Sequence, residues 1–469
     1  MTNERDDVAA QIEAAMAAAP AGQLDSARRL AHEAVRGILD LVEDSHEVVA
    51  ADLRGAAQRV PGLAEPAALI DDLRRVITRA SLLGVRGVSN AVEFAGDVGV
   101  AVMQRASGDV APAAPRLPPM RSDALSGPTV MVDAALGALN GFFGSGLRER
   151  NNGLDLGMVL RLDDALLPAS GPALTAGLHR AIAKRATADA DATPIDVALY
   201  IHGLAATEWG FCLGAEAQWG DAASTLATRL DADFALLPIY ARYNTGIPIA
   251  DNGAALVACL DAIAAALTQD GAPTRLGRLV LIGHSMGGLV VRDAVGRGVA
   301  TKATWIEHLH GAACLGSPHE GAPLERVVES LTGTLALVRL PGALVPARLL
   351  ELRSAGIRDL ARGDREPQTE GETPAAWKQR ALPCAPSLRW LILAASLSTE
   401  LGDLMSRRMG DGMVSIASAA APANRTPRPD IELATVGGVS HAAIANHRAV
   451  DNEVRAWLVR CGFVARASG

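Results

Sequence analysis

The sequence predicts an α/β fold: a mostly parallel central sheet with helices on both faces, carried by the chain from about Thr193 onward. Two observations predict it. Apolar runs of strand length alternate there with segments of helical period, the pattern of strands joined by crossover helices. Within that alternation Arg278 to Val291 reads RLVLIGHSMGGLVV, an apolar strand, a sharp Gly-rich turn and the start of a helix.

Residues 1 to about 108 are helical in pattern. Leu30, Ala34, Ile38 and Leu41 form one stripe and Leu69, Leu73, Val76 and Ile77 another, each at the spacing of one helix face. Pro112, Pro115, Pro118 and Pro119 break any helix and mark an extended connection. The Gly-rich apolar stretch Val130 to Leu147 is a poor autonomous helix and suits close packing in a core. The expected organisation is a helical N-terminal region over 1–190 with a Pro-rich break near 109–120, and a catalytic α/β domain over 191–469.

In that domain Ile195–Ile201 is expected as a strand, Ala222–Leu230 as a helix, Phe234–Tyr240 as a strand and Ala254–Leu267 as a helix. After the Gly-rich turn, Leu309–Leu315, Leu388–Ala395 and Ile431–Val436 read as further strands. Val450, Val454, Trp457 and Leu458 give a closing amphipathic helix. The connection between the strands near 315 and 388 is about seventy residues, far longer than an ordinary loop. It is expected to form a lid or cap over about 320–386, apolar first and charged later.

Composition narrows the partners. A formal charge of −8 with no compensating basic cluster argues against nucleic acid. Five cysteines, widely spaced and without a C-x-x-C pair, suggest neither a disulfide framework nor a zinc site, and most are expected to be buried thiols. The start MTNERDDVAAQ carries acid where a secretory leader needs a basic region, and no uncharged apolar run reaches a membrane span of roughly 18 residues. A soluble, cytoplasmic protein is expected, of undetermined oligomeric state.

The G-x-S-x-G turn is where chemistry is expected. Ser285 should sit in a strained backbone conformation with its hydroxyl clear of the sheet edge, flanked by glycines because a side chain at 283 or 287 would collide with the neighbouring strand and helix. A serine hydroxyl is a poor nucleophile near neutral pH and needs a base, which needs an orienting acid. In strand–elbow–helix enzymes these follow in the order Ser, Asp, His. Of ten histidines, His308, His310, His319, His441 and His447 lie beyond Ser285. His441, in VGGVSHAAIANH, follows the last strand and is the expected base, with His447 as a competitor at the start of the closing helix. Asp411, between Gly410 and Gly412 after the 388–395 strand, is the expected acid, ahead of Asp403 and Glu400. An oxyanion hole needs two backbone N–H groups. Met286 at the helix start and Leu204 in the His202-Gly203-Leu204 turn are the expected donors, with His202 bracing that turn and His319 ordering its own loop.

Taken together, YIHGL at 200–204, RYNTG at 242–246, DNG at 251–253, GHSMGG at 283–288, LGSPHEGAP at 315–323, GDGMVS at 410–415 and GVSHAAIANHRAV from Gly438 resemble the α/β-hydrolase superfamily. The resemblance is to its lipase and esterase branch, near bacterial relatives of GPI inositol-deacylase and lecithin-cholesterol acyltransferase, and covers roughly 193–469. It implies hydrolysis of a carboxylic ester, of a lipid or apolar acyl group, with Ser285 as nucleophile, His441 as base and Asp411 as its orienting acid, without metal or cofactor. Such families often carry Leu after the histidine; Ala442 and Ala443 here alter the expected shape of the acyl pocket. An acyltransferase using the same triad is the nearest alternative, and an inactive scaffold with the hydrolase fold a more distant one. A histidine base must be neutral, so activity is expected to fall below about pH 6. The apolar segment Val327–Leu350, with Arg339 and Arg348, is expected either to lie at a lipid surface or to bury itself over the pocket.

Overall fold

The computed structural model describes residues 117–149, 154–185, 194–268, 275–322, 354–362, 381–401, 406 and 409–466. The stripes expected over 30–41 and 69–77, Pro112, Pro115, the segment 327–350, most of the charged stretch 363–386 and Asp403 lie outside these residues. The described residues fall in one compact unit, Pro115–Arg339 with Leu352–Gly469.

Eight strands form one sheet in the order β2-β1-β4-β3-β5-β6-β7-β8. They are β1 (Met158–Leu162), β2 (Ala165–Pro168), β3 (Ile195–Ile201), β4 (Leu237–Tyr243), β5 (Leu276–His284), β6 (Leu309–Leu315), β7 (Arg389–Ser396) and β8 (Ile431–Gly437). β3 to β8 are parallel, and β1 runs antiparallel to both β4 and β2. The helices are α1 (Pro128–Glu149), α2 (Pro172–Arg185), α3 (Leu226–Phe234), α4 (Ile249–Thr268), α5 (Met286–Thr301), α6 (Ala355–Arg362), α7 (Ile416–Arg425) and α8 (Arg448–Arg460). This is the α/β-hydrolase fold.

Central strands covered on both faces read as continuous apolar runs, and LVLI in β5 is buried throughout. The period of two still sorts the faces. Ala198 and Tyr200, Val280 and Ile282, Ala313 and Leu315, Leu391 and Leu393 share one core with Leu230 of α3 and Trp457 of α8. α4 and α5 pack on each other, and α5 also packs on β5 and β6. Among the described residues α4 alone is long and apolar enough to cross a membrane, and 56% of its most apolar window is buried inside the protein. Four of the five free cysteines are buried, and Cys384 is exposed.

The sheet starts earlier than the expected boundary at 191. The hairpin β1–β2 adds two strands beyond β4, so the residues between Pro115 and 190 belong to the same compact unit as the catalytic strands. Strands of five and four residues, one with Arg161 in it, leave too short a periodic signal to separate from the apolar stretches around them. The stretch 130–147 is a helix despite its glycines, because those glycines are its contact surface. A Cβ on Gly141 would overlap Ala205, and one on Gly144 would overlap the Asn244 side chain.

Candidate active site

In the parallel part of the sheet, β4 lies on one side of β3 while β5 to β8 lie on the other. The chain reverses direction of winding there, and the turns leaving β3 and β5 diverge to open a crevice at their carboxyl ends. Ser285 follows β5, the His202–Leu204 turn follows β3, Asp411 lies in the loop after β7 and His441 in the loop after β8. The topology therefore brings Leu204, Ser285, Asp411 and His441, separated by up to 237 positions, to one edge.

Ser285 has φ 56° and ψ −124°, a region that non-glycine residues avoid. The turn is forced by what surrounds it. The Ser285 N–H donates to the Leu315 carbonyl at the end of β6, at 2.9 Å. A Cβ on Gly283 would overlap the Gly287–Gly288 backbone, and one on Gly287 would overlap the Ile201 carbonyl of β3. Helix α5 can then start immediately after the serine, with the Met286 N–H in its unpaired first turn.

The turn after β3 is held by three residues. His202 donates from Nδ1 to the Gly203 carbonyl at 2.9 Å and accepts from the Tyr243 N–H at Nε2, 3.4 Å away. Tyr243 also donates its hydroxyl to the His202 carbonyl at 2.7 Å and stacks on the imidazole with ring centroids 4.4 Å apart. Both ring nitrogens are thus engaged, which makes His202 a brace. Because C=O and N–H of a trans peptide point opposite ways, fixing the Gly203 carbonyl directs the Leu204 N–H to the other side. The next amide, of Ala205, is taken by the Thr245 hydroxyl at 3.0 Å, so it is not available for a ligand. Gly203 itself lies against the serine: a Cβ there would sit 3.0 Å from Ser285 Cβ.

Asp411 and His441 are both buried. Asp411 Oδ1 accepts the N–H groups of Met413 (2.9 Å) and Val414 (2.8 Å), in a loop whose tight path needs Gly410 at φ 55° and Gly412 at φ 99°. Its Oδ2 faces His441 Nδ1 at 2.7 Å. A carboxylate only accepts, so Nδ1 carries the proton and Nε2 presents a lone pair. That Nε2 is buried without a hydrogen-bond partner, and His441 and Ser285 line the same pocket. Ser285 Oγ does not bond to it in this structure; such contacts commonly tighten only with substrate in place. His284 donates from Nε2 to the His441 carbonyl at 3.0 Å and fixes that loop against β5.

Of the rival residues, His447, Glu400 and His319 fall elsewhere. His447 caps α8 by accepting the Ala449 N–H at 3.2 Å, and Glu400 is exposed. His319 is buried beside Arg292, with Nδ1 at 3.5 Å from the guanidinium. Among the described residues no group of three or more His, Cys, Asp and Glu side chains is gathered as metal ligands.

Burial lowers the imidazole of His202 from an ordinary 6.5 to about 4 and, with His441 adjoining, that of His284 to about 3; burial also takes His319 well below its usual value. Unfolded, all three would bind a proton as pH falls through 6.5, while the folded protein does not, so acid destabilises it from that point down to the folded values. Asp293 opposes this, since burial raises its carboxyl to about 6 and the folded state keeps a proton the unfolded chain releases. Near pH 5 the balance is roughly two protons taken up on unfolding, or about 3 kcal/mol of stability per pH unit. Urea midpoints measured at pH 7, 6 and 5 should fall over the first interval and fall further over the second, the second drop being the larger; a flat series to pH 5 would contradict neutral, buried imidazoles.

Sequence reasoning missed Thr245 and Tyr243, and it read the glycines of α1 as close packing without their partner. Thr245 lies within the RYNTG run that carries part of the resemblance, and that run was the available signal. Gly137 and Gly141 meet the backbone of Ala205–Ala206, so α1 lies flush on the turn that presents Leu204. Nothing in an Ala/Gly-rich stretch says which turn it will back.

Residues 246–336 match the family described as the PGAP1-like alpha/beta domain, a span that includes α4, the elbow and β6. Among solved structures the chain is similar to the mature Bacillus licheniformis lipase BlEst2, at 15% identity over 59% of this chain and 96% of that one, TM-score 0.36. It is similar also to a Thermogutta terrifontis thermophilic esterase with malate bound, at 16% identity over 57% and 92%, TM-score 0.32. The Mycobacterium smegmatis proline iminopeptidase is a third, at 14% identity over 58% and 92%, TM-score 0.28. No curated protein matches the chain.

Proposed function

We propose that this α/β-hydrolase-superfamily protein, of the lipase and esterase type, is a serine carboxylic-ester hydrolase acting through Ser285, His441 and Asp411 on an apolar acyl ester. The observation that carries the reading is the buried, unpartnered Nε2 of His441, its other nitrogen tied to Asp411, opening on the pocket of a serine held at positive φ. A purely structural histidine would have no reason to leave that lone pair orphaned.

His441 Nε2 takes the Ser285 proton as Oγ attacks the ester carbonyl. The negative charge that develops on the carbonyl oxygen is met by the N–H groups of Leu204 and Met286 and by the positive end of α5. His441 then passes its proton to the leaving alcohol, and the acyl group stays on Ser285. Water, deprotonated by His441, attacks this acyl-enzyme and releases the acid. Asp411 keeps the imidazole in the tautomer that can accept and stabilises it while it is charged.

The test is hydrolysis of p-nitrophenyl esters from acetate to palmitate, with intact-mass detection of a fluorophosphonate adduct on Ser285. Turnover together with single labelling at Ser285 supports the reading; an unlabelled native protein that turns over none of the esters overturns it. Repeating the assay with an added primary alcohol separates hydrolysis from transfer, since a transferase would form the new ester at the expense of free acid.

A further inference from the structure

Around Ser285 most glycines are explained by a positive φ or by an atom that a Cβ would strike. Gly210 is not. It lies in the 3-10 turn Glu208–Cys212 with no left-handed φ, and a Cβ built on it would meet nothing nearer than the Ala206 Cβ, 3.9 Å away. Its backbone bonds, N–H to the Thr207 carbonyl at 3.0 Å and carbonyl from the Leu213 N–H at 3.3 Å, are open to any residue. Neither conformation nor packing asks for a glycine here.

The position does line the pocket of Ser285. Ala206, Gly210 and Leu213 recur at helical spacing along the segment that follows the Leu204 turn, and all three are half-buried pocket residues. Glu208, Trp209 and Cys212 between them are buried and do not line the pocket. Phe211, Met413 and Ala442 complete the wall, so apart from the serine and histidines the lining is uncharged and apolar. The empty space over Gly210 opens on the pocket of Ser285.

We propose that Gly210 is the position that sets the acyl-chain specificity of this site: the apolar acyl group of the ester lies across Gly210, between Ala206, Leu213 and Met413, and the missing side chain is what admits it. This rests on the ester-hydrolase reading given above. A side chain at 210 takes the room of the distal methylenes and spares the carbonyl end, which is held at Ser285 and Leu204.

The experiment compares kcat/KM for p-nitrophenyl acetate and octanoate in wild type, Gly210→Ala and Gly210→Val. The octanoate-to-acetate ratio should fall in a graded way, by about 10-fold for Ala and about 100-fold for Val, the scale expected for methylenes excluded from an apolar pocket. An unchanged ratio in both variants, with wild type active, overturns the role of Gly210 and leaves the hydrolase reading standing. Equal loss on both esters also overturns it, since Gly210 would then shape the Leu204 turn instead. A wild type that cleaves no ester at any chain length takes down the hydrolase reading and this proposal together. Gly210→Ala, with one methyl facing open space, guards against a folding defect in the larger variant.

Discussion

On the proposed mechanism, Ser285→Ala is expected to lower kcat for ester hydrolysis by about 10⁶, to the level left by binding and the backbone donors alone, with the circular dichroism of the fold unchanged. Asp411→Asn is expected to cost about 10⁴ by a different route. Because Oδ1 of residue 411 accepts two backbone N–H groups, the amide must keep its oxygen there and turn its NH₂ toward His441. Nδ1 then has to accept, the proton moves to Nε2, and the imidazole can no longer take one from serine. Combining Ser285→Ala with His441→Ala should cost little more than Ser285→Ala alone, since the two act as one unit. Ser285→Gly should abolish turnover too, and it relieves the positive φ, so its unfolding free energy should rise by about 1 kcal/mol over that of Ser285→Ala. Retention of hydrolysis within tenfold by Ser285→Ala would remove the serine from the mechanism.

Much of this edge of the sheet was legible because its constraints are local. Gly-x-Ser-x-Gly between an apolar strand and a helical pattern can hardly be built another way. Gly410 and Gly412 around Asp411, like the Gly203 turn, announce backbones that bulkier residues could not follow. The strands β3, β6 and β8 fall where their apolar runs place them. What failed was non-local. The run expected as a strand over Phe234–Tyr240 is displaced to Leu237–Tyr243, because Phe234 closes α3 and the left-handed stop is made by Ala235, at φ 58°, where a glycine would have given notice. Arg242, beyond the expected end of that strand, lies inside it. A charge in a strand that turns its side chain to the interior is unreadable until its partners are known, and they are 34 and 109 residues away.

Those partners make Arg242 a residue whose loss the fold should tolerate poorly. Its guanidinium bonds Asp133 of α1 at 2.8 and 2.6 Å and Glu208 at 2.7 and 2.5 Å, with Trp209 donating to Asp133 and Arg161 also facing Glu208. Arg242 is 3% exposed, Asp133 7% and Glu208 not at all. Burial alone would raise the Glu208 carboxyl, and the Arg242 charge and hydrogen bonds outweigh it, holding it below its usual range. Arg242→Met removes the cation that Asp133 and Glu208 share, and leaves two interior carboxylates with only Arg161 facing Glu208 and Trp209 donating to Asp133. The expected loss is about 3–5 kcal/mol, a large part of the about 5–15 kcal/mol by which such a domain is stable. Arg242→Lys keeps the charge but a single ammonium cannot reproduce four fork-like bonds, so it should fall between. Adding Asp133→Asn to Arg242→Met should recover part of the loss, because an amide left in that site costs less than an anion. Urea unfolding of the three variants checks the order. Activity should track it, since Glu208 and Trp209 sit in the turn that carries Gly210 and follows Leu204, and α1 backs that turn through Gly137 and Gly141. An Arg242→Met protein with the wild-type urea midpoint would require both carboxylates to have taken up protons or water, in a site where the guanidinium and not solvent now satisfies them.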